Sequence, residues 1–160
     1  VINHLPRLAV VERVLRSACR ALAPGGALVF DALTGFCFVA YWPDNTHRLS
    51  GPRGDLLMDC DWDPARRRGT AHMIAYARER GGRFRRLETT LHEYLWRDRE
   101  LVRAFRAAGF AEVWRRPWSA WPDQHLEPAM DRNLWCGRRA GGSAGVRPAR
   151  LRTLGFRRVG

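Results

Sequence analysis

Between Leu8 and Leu22 the apolar positions Leu8, Val11, Leu15, Ala18, Cys19 and Leu22 recur at helical spacing, while Arg13, Arg16 and Arg20 fall mostly on other faces. The pattern predicts an amphipathic helix over residues 7–22. Pro6 suits its first turn, and Pro24-Gly25-Gly26 ends it, because proline cannot continue the ladder and glycine accepts the left-handed turn. Ala27-Leu28-Val29-Phe30 is then apolar on both faces, as expected of a strand covered on both sides in a parallel sheet. Val1-Ile2 reads as the last pleat of an earlier strand, and Asn3-His4-Leu5 as the loop leaving its carboxyl end. Together these segments make a strand–helix–strand unit.

From Asp55 to Trp96 the period changes to two. Leu56, Met58, Cys60 and Trp62 alternate with Leu57, Asp59 and Asp61; Asp63-Pro64 breaks the run; residues 70–78 resume it; and Arg80-Gly81-Gly82 turns the chain into a longer strand over residues 83–96. Three antiparallel strands in a meander are expected. On the last of them Leu87, Leu91 and Leu95 share one face, and Glu88, Thr90, His92, Tyr94 and Trp96 the other, which suits the wall of a pocket. Asp98 is a candidate N-cap for a helix through Ala108, striped by Leu101, Val102, Phe105 and Ala108 and stopped by Gly109. A strand over 110–114, a loop holding Pro117, Pro122 and Pro128, and a short strand over 133–136 complete the periodic part. Residues 140–160 have no usable period and are rich in Gly, Ala and Arg, so a basic, disordered tail is expected there.

Composition narrows the class. A chain of 160 residues with 46% apolar content suits a single globular domain. No apolar run approaches the roughly 20 residues of a membrane span, and no signal-peptide pattern opens the chain, so the cytoplasm is the expected compartment. Cys19, Cys37, Cys60 and Cys136 lie far apart without a C-x-x-C pair, which points to buried free thiols and to neither a zinc knuckle nor a redox dithiol; no metal site is expected. The formal charge of +12 invites a nucleic-acid reading. All 28 basic residues are arginine, however, which looks like codon bias, and residues 1–139 hold 23 Arg against 16 Asp plus Glu. Nucleic acid is therefore the least favoured partner.

The order helix, "RALAPGG", a strand ending in Asp31, "YWPDN", "RGDL", a meander with "GGRFRRLETTLHEY" and then "ELVRAFRAAGF" resembles the second half of a class I S-adenosylmethionine-dependent methyltransferase of the small-molecule type. The resemblance covers about residues 1–139, with the meander inserted at about 55–96, and leaves 140–160 as the tail. It implies the C-terminal half of a Rossmann-like, doubly wound α/β sheet, with S-adenosylmethionine as methyl donor and a small molecule as acceptor. The family's glycine-rich turn and its ribose-binding acid match nothing in this sequence. A truncated or mis-set reading frame is the expected reason, and a fragment inactive alone the expected state. A non-catalytic remnant or partner-binding piece is the alternative.

In the family the loop matched by Ile2, Asn3 and His4 lies beside donor and substrate, so these three are the implied cofactor-side residues. Thr34, Phe36, Tyr41, Trp42 and Tyr94 are the implied substrate pocket, and His4 and His92 the implied bases for an acceptor that carries a proton. Each has a plain alternative: Tyr41 and Trp42 as packing aromatics, His92 as a partly exposed structural histidine, and Asp31 as the cap of the next turn. A sheet interrupted at its middle also implies an exposed strand edge and self-association through it.

Overall fold

The structure is a computed structural model that describes residues 2–118, 132–141 and 147–160. After a 3-10 turn at Ile2–His4, the elements in order are α1 (Leu8–Ala21), β1 (Ala27–Leu33), α2 (Gly35–Ala40), β2 (Asn45–Gly51), β3 (Gly54–Asp63), β4 (Arg68–Arg78) and β5 (Phe84–Tyr94). They continue with α3 (Asp98–Ala107), β6 (Phe110–Pro117), β7 (Arg132–Arg139), α4 (Pro148–Thr153) and β8 (Arg157–Arg158). Pro122 and Pro128 of the predicted loop lie outside the described residues, as does Val1.

Two four-stranded sheets form, one ordered β1-β7-β6-β8 and the other β2-β3-β4-β5. In the first, the even residues Leu28, Phe30 and Ala32 of β1 face α1 and α3, where Phe30 stacks on Phe105 with ring centroids 5.3 Å apart. Val11, Leu15 and Cys19 of α1 and Leu101, Ala104 and Phe105 of α3 close this core. The opposite face, through Trp114, Leu134 and Cys136, is covered by Leu151 and Phe156. In the second sheet Met58, Cys60, Trp62, Ala71, Met73 and Leu91 lie on one side, against Phe38 and Trp42 of the α2 segment.

Several expectations are corrected. Among the described residues β1 has one ladder partner, β7, and it is antiparallel, so residues 27–30 do not sit in a parallel pair. β6 is also antiparallel to β7, so β1 and β6 run the same way with β7 reversed between them. Nor is β1 buried on both faces, since Val29 is 51% exposed. An apolar run reports affinity for burial, not the direction of the neighbouring strand. Ile2 belongs to a 3-10 turn in place of a strand end, and β1 runs past Asp31 to Leu33. The meander has four strands, with β2 added before the three predicted. The N-cap of α3 is Arg97, whose N–H donates to Glu100 Oε2 at 2.8 Å; Asp98 is the first helical residue. Residues 147–160 are not a disordered tail: α4 and β8 are regular, and β8 pairs with β6. Two apolar side chains, Leu151 and Phe156, suffice to anchor that segment although they make no period.

Candidate active site

The Ile2–His4 turn is the joint between the two sheets. The Asn3 carboxamide is 3% exposed, and its orientation is fixed by its partners. Its Oδ1 accepts from the Leu33 N–H at the end of β1, and its Nδ2 donates to the Tyr94 carbonyl of β5, both at 3.0 Å. The Trp96 indole N–H donates to the Ile2 carbonyl at 3.3 Å. His4 is thereby held between the carboxyl end of β1 and the edge of β5.

The His4 Nδ1 stands 3.3 Å from the His92 carbonyl oxygen. A carbonyl only accepts, so Nδ1 carries the hydrogen and Nε2 faces Glu93 Oε1 at 3.6 Å. The side chain of His4 is 39% exposed and that of Glu93 16%. Burial pushes the Glu93 pKa above the ordinary carboxylate value, against the pull of His4 and Arg132. Its Oε2 is buried with no hydrogen-bond partner among the described residues. Beside it Arg132 donates to Asp31 Oδ2 at 2.6 Å. An imidazole open to a ligand and backed by a carboxyl that resists ionisation can take up a proton and share it.

Of the other residues read from the sequence, Thr34 caps α2, its Oγ1 accepting from the Cys37 N–H at 3.3 Å. Phe36 and Tyr41 are 45% and 42% exposed and meet edge to face with centroids 5.9 Å apart. Trp42 is turned inward, over Gly69 and 5.4 Å from the Phe38 ring; a methyl on Gly69 would overlap the indole. Tyr94 packs against the larger core. The His92 ring lies 3.2 Å from Thr70 Oγ1, and strand alternation puts it on the face of β5 opposite Glu93. His4 thus meets the backbone of His92, and the two rings are not brought together. A cleft of about 370 Å³ is lined by Thr34, Leu95, Trp96, Arg115, Asn133 and Trp135, and neither His4 nor Glu93 belongs to its wall.

Glu93 is the residue that the sequence reading missed. Its signal was an acid between Leu91 and Leu95 on the apolar face of a strand, where a charge is costly. Among the described residues no group of three or more His, Cys, Asp or Glu side chains could hold a metal. The four cysteines are free and buried, and burial pushes the Cys136 thiol up to about 11, which leaves it inert at neutral pH.

Two like-directed strands flanking a reversed one, with α1 and α3 on one face, make a mixed α/β layer. Solved structures give its kind. A S-adenosylmethionine-dependent methyltransferase from Clostridium acetobutylicum ATCC 824 superposes with a TM-score of 0.71 at 10% identity, over 88% of this chain and 55% of its own. The sugar N-methyltransferase KedS8 from Streptoalloteichus sp ATCC 53650 gives 0.57 at 21%, over 87% and 52%. CalS10, an amino pentose methyltransferase from Micromonospora echinaspora solved with S-adenosylmethionine bound, gives 0.55 at 16%, over 87% and 54%. The chain matches no protein-family model and no curated protein sequence. It therefore has the fold of part of a S-adenosylmethionine-dependent methyltransferase, and spans little more than half the length of the solved structures it resembles.

Proposed function

We propose that residues 1–139 are the trailing part of a S-adenosylmethionine-dependent methyltransferase that acts on a small-molecule amine. The observation that supports it most is the His4–Glu93 pair at the carboxyl end of β1, the edge where open α/β sheets bind ligands. Two solved relatives in fold, KedS8 and CalS10, act on a sugar nitrogen and an amino pentose by their names, and a half-buried carboxyl beside an imidazole suits an acceptor that becomes cationic.

The residues of this chain fit the rim of a donor site and not its cradle. Ile2 is buried and both ends of the Asn3 amide are engaged, so in the turn His4 alone offers a side chain to a ligand. The donor, when bound, supplies an electrophilic methyl group on a sulfonium. Phe36 and Tyr41 are partly exposed aromatic side chains, of the kind that attracts a cation. His4 Nε2 accepts the proton that the acceptor nitrogen loses and shares it with Glu93 Oε1, whose raised pKa favours taking it up. Asn3 positions His4 by tying its turn to Leu33 and Tyr94.

The test uses the longest in-frame product ending at Gly160, assayed for methyl transfer to amine-bearing small molecules and sugars. His4→Ala and Glu93→Gln are expected to lower kcat about 100-fold or more with donor affinity little changed. Retention of rate by both variants would remove the proton-transfer role. Absence of donor binding by the longer product would favour the non-catalytic remnant.

A further inference from the structure

A cleft of about 370 Å³ lies among the strand ends of the first sheet and the start of α3. In that sheet β7 runs between β1 and β6, with Asn133 opposite Ala32 on one side and Trp135 opposite Arg115 on the other. Alternation along β7 sets Asn133 and Trp135 on one face, the one that α3 covers. After Leu33 the chain leaves β1 through Thr34 for α2, and after Tyr94 it leaves β5 through Leu95 and Trp96 for α3. These two connections and the first turn of α3 border the cleft. None of the side chains assigned to methyl transfer lines it, so it is a separate site.

Ala32, Leu33, Leu95, Trp96, Leu101 and Trp135 supply its apolar wall, and Arg97, Asp98 and Arg115 its charges. The size and the mixture suit a small molecule. Two cations against one acid favour an anion. The Thr34 hydroxyl is spent on the Cys37 N–H. The Asn133 carboxamide, by contrast, meets no partner among the described residues. Arg115 donates from Nη1 to Asp98 Oδ2, and its Cζ stands 6.0 Å from the Trp135 ring centroid. A guanidinium carries its N–H donors in a fork, and the remaining donors of Arg115 have no acceptor among the described residues.

We propose that the cleft binds a small aromatic carboxylate, held by Arg115 and the Asn133 amide, with its ring against Leu33, Leu95 and Trp96. Asp98 marks the place of the ligand's carboxylate. Its side chain is 56% exposed, and an exposed ion pair of this kind adds little to stability. The incoming carboxylate takes both arms of the Arg115 fork while Asp98 turns into water. An aliphatic amine, cationic at neutral pH, meets two like charges here. The ligand is therefore not the acceptor amine proposed for His4.

The probe is benzoate, with benzamide, its neutral isostere, and acetate, which lacks the ring, alongside. Each is titrated into the isotope-labelled 160-residue chain while the indole N–H signals of Trp96 and Trp135 are followed by NMR. Saturable shifts with benzoate at a Kd of about 1 mM are expected, with benzamide and acetate about tenfold weaker or more. Arg115→Gln is expected to weaken benzoate about tenfold. Asp98→Asn should tighten it several-fold by removing the competing carboxylate, and Arg48→Gln on the meander should change nothing. Thermal melts show which variants keep the fold. Where Arg115→Gln does not fold, Asp98→Asn decides alone, because loss of a merely structural acid would not tighten a ligand. No saturable shift with benzoate, equal binding of benzamide, unchanged or weaker binding by a folded Asp98→Asn, or equal losses from Arg115→Gln and Arg48→Gln would overturn the proposal.

Discussion

A carboxyl group on the buried face of β5 is unfavourable for folding. Burial raises the pKa of Glu93, and its Oε2 finds no donor among the described residues. A raised folded-state pKa means that the stability linked to this group is fully present below the unfolded carboxyl pKa and is lost as pH rises through the folded value. Glu93→Gln removes that loss. It is expected to stabilise the chain at neutral pH by about 1 kcal/mol, a rise in Tm of roughly 2–4 °C for a domain of this size. Thermal melts from pH 4 to 8 would check this, and a lower Tm for the variant at neutral pH would make Glu93 a structural residue. His4 and Asn3 were named because they match the family's loop, and the sequence could not say that Asn3 spends its amide on Leu33 and Tyr94. Glu93 was passed over because the functional face of β5 was taken to be the polar one, whereas its neighbours Leu91 and Leu95 made it conspicuous.

Glu100 joins two elements. Arg67, at the turn between β3 and β4, donates to both of its carboxylate oxygens, and Arg97 N–H caps α3 on the same group. Partial burial works against the charge, but Arg67 and the Arg97 N–H outweigh it and hold the pKa below the usual carboxylate value. The stability it lends is therefore present above the unfolded pKa and lost as pH falls through the folded one. Glu100→Ala is expected to cost about 1–2 kcal/mol. Arg67→Ala should cost about 1 kcal/mol, and the double variant less than the sum, because both break the same contact. Chemical denaturation of the three variants gives the cycle, and strict additivity would mean that the contact contributes nothing. In the last segment Leu151→Ala should destabilise by about 3 kcal/mol, since the side chain is buried over Trp114 and Cys136. A melt unchanged from wild type would mean that α4 is not docked in solution.

These elements differ in how far periodicity revealed them. α1 and α3 were legible because their stripes repeat over several turns. β2 was not, because the edge strand Asn45–Gly51 is mostly exposed and has no apolar alternation. α2 is only six residues long, too short to establish a period. β8 has two residues and is fixed by the strand it joins.

At the scale of the whole molecule, two sheets meet at one joint. The Asn3 amide ties the meander to β1 and the Arg67–Glu100 clasp ties it to α3, and His4 and Glu93 lie beside the first of these contacts. The outer edge of β1 has no strand partner among the described residues, and Val29 beside it is half exposed. Both features are compatible with the proposal that the donor's cradle is built by residues other than those of this sheet. The overall architecture followed from the order of motifs along the sequence. The antiparallel setting of β1 did not, because strand direction depends on neighbours that an apolar pattern leaves unspecified.

The most direct measurement is calorimetric titration of S-adenosylmethionine into the 160-residue chain and, in parallel, into the longest in-frame product ending at Gly160. Micromolar binding by the longer product with no measurable binding by the 160-residue chain is the predicted result. Micromolar binding by the 160-residue chain alone would contradict it.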